Sequence, residues 1–127
     1  MSDPNFPEWQ QLRPKAGRYP PAAFAFVRDG LAHTVKLVHG DDPADADHLH
    51  VSGQQLCLGL RDYAIRQYGL LAKTLLNRWN ITSTEDFGHI VYAMVDAGLM
   101  RKNDDDSLDD FRGVFDFDDF ADLTAAR

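Results

Sequence analysis

The chain has 127 residues, a formal net charge of -7 and a single cysteine. This length fits one domain with a hydrophobic core. A single thiol cannot form an internal disulfide, so we expect a cytoplasmic location. No apolar run reaches the ~20 residues of a membrane span, and no signal-peptide pattern opens the sequence, so we expect no membrane partner.

Two prolines and a glycine frame the first predicted helix. Residues 1–19 contain three further prolines and a glycine, which predict an extended N-terminal arm. Pro20 and Pro21 suit the first turn of a helix, where a missing N–H costs nothing. Apolar residues then recur at spacings of three and four as far as Gly40, so we predict a helix over residues 20–39.

Three more helices are predicted downstream of a polar loop. Residues 40–48 are typical of a loop, and alternating residues at 49–51 indicate a short strand. Two capping-box pairs then mark the starts of helices. In each pair, the side chain of one residue accepts a hydrogen bond from the backbone N–H of the other. The predicted helices and their caps are 53–68 with Ser52 and Gln55, 71–80 ending at a left-handed Asn80, and 83–97 with Thr82 and Glu85.

After the last helix the apolar period changes from about 3.6 to 2. Two alternating segments joined by a polar turn predict a β-hairpin over residues 99–117, and an acidic tail follows over 118–127. We therefore predict an α+β fold that is mainly helical: a single winged-helix-like domain over residues 20–117, with four helices and a C-terminal β-hairpin.

The acidic charge is concentrated at the C-terminal end. Residues 1–102 contain 11 basic and 11 acidic side chains, whereas residues 103–127 contain nine aspartates and two arginines. Such an end repels nucleic acid. It is a solvated, solubilising end, a surface for a basic protein partner, or a cover over a basic groove of the same molecule.

The winged-helix order places residues 83–97 where DNA-binding members have their recognition helix. Residues 80–100 contain no Lys or Arg, and Glu85, Asp86 and Asp96 would face phosphate at an electrostatic cost. We therefore expect a protein-interaction module and disfavour nucleic acid as a partner. The alternative is a nucleic-acid-binding winged-helix regulator that uses basic residues outside this helix: Arg13, Lys15, Arg18, Arg61, Arg66, Lys73 and Arg78.

The predicted contact surface lies in the hairpin and tail, over residues 104–119. Aromatic rings alternate there with carboxylates. Some rings fill the core, and the rest form an apolar strip ringed by charge, which is typical of interaction surfaces. The predicted partner-binding residues are Asp116, Asp118, Asp119, Phe115, Phe117 and Phe120. Their partner is a protein of unknown identity, basic if it complements the tail.

Candidates for catalysis are few. His39, His48, His50 and four aspartates lie within twelve residues but match no defined metal loop, so we interpret them as a solvated loop. A small hydrolase or metal enzyme built on His48, His50 and the loop aspartates is a third, less favoured class. Cys57 is predicted to be a buried, inert thiol and His89 a surface residue. No phosphate loop, nucleophile elbow or zinc motif is present, so we expect no enzyme activity and no cofactor.

Five stretches carry a resemblance to a known group of proteins. They are RYPPAAFAFV (18–27), HVSGQQL (50–56), GLRDYAIRQYGLLAKTLLNRWNI (59–81), STEDFGHIVYAMVDAGLM (83–100) and DDFRGVFDF (109–117). Through them the chain resembles a family of short uncharacterised conserved proteins of planctomycete and verrucomicrobial bacteria. The resemblance implies a bacterial, cytosolic, single-domain protein and carries no activity, cofactor or catalytic residue.

Overall fold

The computed structural model describes residues 7–40 and 50–120. This part of the chain is helical, with a first turn α1 and four longer helices. Their bounds are α1 (Trp9–Leu12), α2 (Pro21–His39), α3 (Gly53–Tyr68), α4 (Ala72–Arg78) and α5 (Thr84–Asp96), and short 3-10 turns span Arg13–Lys15, Gly69–Leu71 and Leu108–Phe111. The four longer helices confirm the helical part of the prediction. None of the helices over the described residues has both the length and the apolar composition needed to cross a bilayer.

The helices α2 and α3 pack closely because each has a glycine at their crossing. A Cβ on Gly59 would lie 1.9 Å from Thr34 Oγ1, and a Cβ on Gly30 would lie 2.2 Å from Leu60 Cδ2. Glycine inside a helix costs about 1 kcal/mol relative to alanine. Close packing of the two helices explains why that cost is accepted at both positions.

The predicted β-hairpin is wrong, and with it the α+β class and the winged-helix-like fold. No strand is present in residues 7–40 or 50–120. Two aspartates between 103 and 117 close local turns instead. Asp106 Oδ2 accepts from the Asn103 N–H at 2.8 Å, and Asp110 Oδ2 accepts from the Ser107 N–H at 3.0 Å. Such side-chain bonds compete with strand pairing for the same backbone donors.

The segment that follows the last helix folds back onto α5. Thr84 Oγ1 donates to the Phe111 carbonyl at 2.6 Å and accepts from the Val114 N–H at 3.2 Å. Gly88 leaves room for this segment, since a Cβ there would lie 2.8 Å from Phe111 Cγ and 2.9 Å from Leu108 Cδ1. Residues 108–114 therefore form a cap over α5 where the sequence predicted a wing.

The extended arm predicted over residues 1–19 is also wrong for its described part. Residues 9–15 are helical, and Leu12, Ala16 and Tyr19 are 0%, 3% and 7% exposed. Gln11 Nε2 donates to the Ala97 carbonyl at the end of α5 at 2.7 Å. This segment belongs to the domain, because its apolar side chains complete the core despite its prolines.

Candidate functional site

The three predicted partner-binding aspartates lie at the surface. Asp116, Asp118 and Asp119 are all exposed, and the Asp118 side chain is 83% exposed. Asp116 Oδ1 accepts a hydrogen bond from the Asp118 N–H at 2.9 Å, and the Asp116 carbonyl accepts from the Asp119 N–H at 3.0 Å. We call residues 116–119 the acidic turn; Asp116 shapes it as well as adding charge.

The three predicted phenylalanines lie beneath this turn and do not form an exposed strip. Phe117 and Phe120 are 5% and 1% exposed, with ring centroids 5.2 Å apart. Phe115 is half-buried and stacks on Phe117 at 5.4 Å, and Phe117 packs against Phe87 of α5 at 5.9 Å. The rings anchor the acidic turn to the core, so its exposed chemistry is mainly that of carboxylates.

Two cations of the helical body reach this region. Lys73 Nζ lies 2.9 Å from Asp118 Oδ1, and the Arg61 guanidinium carbon lies 5.0 Å from the Phe115 ring centroid. Because Asp118 is so exposed, its ion pair with Lys73 is worth no more than about 1 kcal/mol. A cation from another molecule can therefore replace Lys73 at little cost.

Other basic residues assigned to nucleic-acid binding also have partners within the protein. Arg18 Nη2 lies 2.7 Å from Asp86 Oδ1, and Arg66 Nε lies 2.7 Å from Asp62 Oδ2. Cations already paired with carboxylates contribute little to the counterion release that drives nucleic-acid binding. The remaining members of the set, Arg13, Lys15 and Arg78, are exposed.

The prediction that α5 presents an acidic reading face is wrong. Eight of its residues are buried, including Asp86, which is 3% exposed. His89 and Asp96 are exposed, so the face of α5 that contacts solvent is narrow. Too little of α5 is accessible to enter a major groove, because the helix is at the centre of the core.

Asp86 joins the N-terminal segment to the start of α5. Its carboxylate accepts from the Tyr19 hydroxyl, from Arg18 at 2.7 Å, and from the backbone N–H groups of Thr82 and Ser83 at 2.8 and 3.1 Å. Burial raises the pKa of Asp86, but these hydrogen bonds outweigh burial and hold that pKa below its usual value. The capping box at the start of α5 is therefore formed by Ser83 and Asp86, one residue later than the predicted pair of Thr82 and Glu85.

A cleft of about 360 Å³ lies where α2, α3, α5 and residues 100–111 meet. At its edge His50 Nε2 donates to Asp106 Oδ1 at 3.1 Å, and the Asp106 side chain is 19% exposed. The lining also includes Asp110, Arg101 and Lys102. Both cations are exposed, whereas the two carboxylates are partly buried.

Tyr92 of α5 contributes a buried polar atom to this cleft. Its hydroxyl has no hydrogen-bond partner among residues 7–40 and 50–120. Burial, and then the negative charges of Asp106 and Asp110, raise the pKa of this hydroxyl above its usual value. A buried polar group without a partner costs roughly 1–3 kcal/mol, so this hydroxyl is a feature that packing alone does not explain.

The other residues considered for chemistry are not brought together. No group of three or more His, Cys, Asp or Glu side chains forms a metal site within the described ranges. His39 Nε2 donates to the His50 carbonyl at 2.7 Å, while His48 and the aspartates of the 41–47 stretch lie outside the described residues. Cys57 is fully buried, which confirms the predicted burial of this side chain, and burial raises the pKa of its thiol to about 12.

The cleft could not be found from the sequence, because its polar groups come from distant positions. Tyr92 is partly exposed on α5, and the opposite face of that helix is buried in the core. This position is usual for a tyrosine, whose ring is apolar and whose hydroxyl is polar. Asp106 and Asp110 were interpreted as part of a wing turn. Only the folding of residues 100–111 onto α5 brings these groups together.

No family model, curated protein or solved structure matches this chain. The resemblance to short planctomycete and verrucomicrobial proteins therefore stays a prediction that rests on the quoted stretches. Function must be inferred from the geometry of the acidic turn and of the cleft.

Proposed function

We propose that this protein is a cytoplasmic, non-enzymatic interaction module that binds a basic segment of a protein partner through its acidic turn. The observation that carries this proposal is the exposure of carboxylates on a turn whose phenylalanine rings are packed in the core. Asp118 and Asp119 are exposed on a turn held in place by buried phenylalanine rings. Little conformational entropy is lost when a partner binds a surface that is already ordered.

Charge complementarity defines the partner. The acidic turn belongs to the 103–127 segment, whose nine aspartates and two arginines account for the whole net charge. An exposed acidic surface accelerates the approach of a basic partner and rejects acidic ones. The contact of Lys73 Nζ with Asp118 Oδ1 at 2.9 Å supports this proposal, because it places an alkylammonium group on the turn at hydrogen-bond distance.

Nucleic acid is the less favoured partner. We disfavour nucleic acid because Arg18, Arg66 and Lys73 are already paired with carboxylates of the same protein. A duplex approaching these cations would also meet the carboxylates that they already contact. Weak binding that disappears with moderate salt is therefore the most that we expect from DNA or RNA.

The direct test measures the binding of a fluorescent peptide of alternating lysine and serine by anisotropy, using the full chain. We expect Asp118→Asn combined with Asp119→Asn to weaken binding by about tenfold, since two exposed ion pairs are each worth up to about 1 kcal/mol. Asp116 is left unchanged because its side chain shapes the turn.

The matched control neutralises two exposed aspartates elsewhere, Asp29 and Asp96, by the same Asp→Asn change. Both double variants have the same net charge, so a general charge effect weakens the peptide equally in the two proteins. We expect the control to change affinity by less than about twofold. Equal losses in both variants, or tighter binding of a DNA duplex than of the peptide, would contradict the proposal.

A further inference from the structure

The cleft between α5 and residues 100–111 has the composition of a small-molecule site. Its volume of about 360 Å³ is near the lower end of the ~300–1,000 Å³ that such sites occupy. Apolar side chains from three helices and the following segment line its interior: Leu31, Val35, Leu56, Val91, Met100 and Phe111. A compact apolar group in contact with these side chains is removed from water.

The polar groups of the cleft differ in exposure, and the less exposed ones are mainly hydrogen-bond acceptors. The Tyr92 hydroxyl is buried, and Asp106 and Asp110 are partly buried. Arg101 and Lys102 are exposed. Charges inside a cleft act at lower effective dielectric than charges at its mouth. The less exposed polar groups of the cleft therefore favour a cation that can donate several hydrogen bonds.

The Tyr92 hydroxyl supplies the second observation. Packing alone would be served equally well by a phenylalanine at this position, whereas Tyr92 places a buried hydroxyl without a partner in a residue that lines the same cleft as both carboxylates. A primary ammonium has three donors. Such a group can donate to a carboxylate and to the phenol oxygen together, which would give that oxygen a hydrogen-bond partner.

We propose that this cleft binds a small organic amine, with its ammonium group on Asp106, Asp110 and Tyr92 and its apolar body against the cleft interior. The site is separate from the acidic turn and does not depend on the function proposed for it. His50, which donates to Asp106 Oδ1, holds that carboxylate at the edge of the cleft. Asn103 holds its other oxygen through a backbone N–H at 2.8 Å.

The test uses the full chain with phenethylamine as the probe, measured by the displacement of backbone NMR signals. Two compounds of matched shape, 3-phenylpropionate and 2-phenylethanol, report on the contribution of the ammonium charge. For a fragment of this size we expect a Kd of about 0.1–1 mM. The alcohol should bind at least about tenfold more weakly, because it lacks the charge.

Four variants separate the cleft from a general attraction of amines to an acidic protein. We expect Asp106→Asn to weaken phenethylamine binding by about tenfold and Tyr92→Phe to weaken it by about threefold. Asp109→Asn changes an exposed neighbouring carboxylate and should have less than about a twofold effect. The Asp118→Asn and Asp119→Asn pair should bind phenethylamine as the unmodified chain does.

The signals that move should belong to residues lining the cleft, such as Val91, Tyr92 and Met100. No binding up to about 10 mM, equal binding of amine, acid and alcohol, or equal losses in Asp106→Asn and Asp109→Asn would each overturn the proposal. Stronger binding of 3-phenylpropionate would also overturn it, since Arg101 and Lys102 would then determine the ligand.

Discussion

Buried polar residues explain features that hydrophobic patterning leaves open. Asp86 is 3% exposed and accepts hydrogen bonds from two segments of the chain. Removing such an acceptor leaves the buried donors without partners, which costs more than one hydrogen bond contributes. Asp86 therefore determines both where α5 begins and where the N-terminal segment is held.

We predict that Asp86→Asn destabilises the protein by roughly 2–4 kcal/mol at neutral pH. The pKa of Asp86 in the folded state is below its value in the unfolded chain, so its stabilising contribution is present above pH ~4 and is lost on acidification through lower pH. Urea denaturation across this range should show a steeper loss of stability on acidification for the unmodified chain than for Asp86→Asn.

Asp96→Asn provides the control, since Asp96 is exposed near the end of the same helix. Its free energy of unfolding should differ from that of the unmodified chain by less than about 0.5 kcal/mol. If Asp86→Asn and the unmodified chain lose stability in parallel as the pH falls, the bonded carboxylate is not a source of the pH dependence.

Packing between helices depends on positions where no side chain fits. At the α2–α3 crossing Thr34 is 1% exposed and donates to the Gly30 carbonyl at 2.7 Å. A methyl group on Gly59 would collide with this threonine. Buried contacts of this kind are stiff, because neither helix backbone can retreat without disturbing the rest of the core.

We predict that Gly59→Ala destabilises the protein by about 2 kcal/mol, even though alanine is the better helix former by about 1 kcal/mol. Chemical denaturation measures the change directly. Combining it with Thr34→Ala should cost less than the sum of the two single changes, because the smaller side chain removes much of the collision. Strict additivity, or a stabilised Gly59→Ala variant, would show that the two helices are not in close contact here.

The helices could be predicted from the sequence because their signals are local. The range predicted for α3, 53–68, matches the structure, and Asn80 has the left-handed backbone expected of it, with a φ of 67°. The hairpin could not be rejected in advance, because alternating phenylalanines fit either a strand or a series of turns. What decides between them is tertiary: Thr84 binds the backbone at Phe111, and Gly88 gives the ring its space.

In the candidate sites, too, local features could be predicted from the sequence and features that depend on long-range contacts could not. The exposure of the three aspartates follows from composition, but the burial of Phe117 and Phe120 depends on contact with Phe87, which is distant in sequence. The cleft was missed because no local pattern connects Tyr92 with Asp106. Sequence patterns report which face of an element is apolar, and long-range contacts decide which elements meet.

The N-terminal segment completes the hydrophobic core of the whole molecule. Three prolines and a glycine predict an extended arm, whereas Leu12 is 0% exposed and Tyr19 bonds to the buried Asp86. The ring of Trp9 also lies 5.8 Å from that of Phe24 in α2. Burial of such side chains stabilises the folded state by about 2 kcal/mol each.

We therefore predict that a chain starting at Pro20 loses most of its stability. Its urea midpoint should fall sharply or its folding transition should disappear, because domains of this size are stable by only about 5–15 kcal/mol. Leu12→Ala, which removes one buried side chain, should cost about 2–5 kcal/mol, while Gln10→Ala at an exposed position should be nearly neutral. A shortened chain with an unchanged midpoint would mean that residues 7–19 are an appendage, and the pairing of Tyr19 and Arg18 with Asp86 would then contribute nothing to folding.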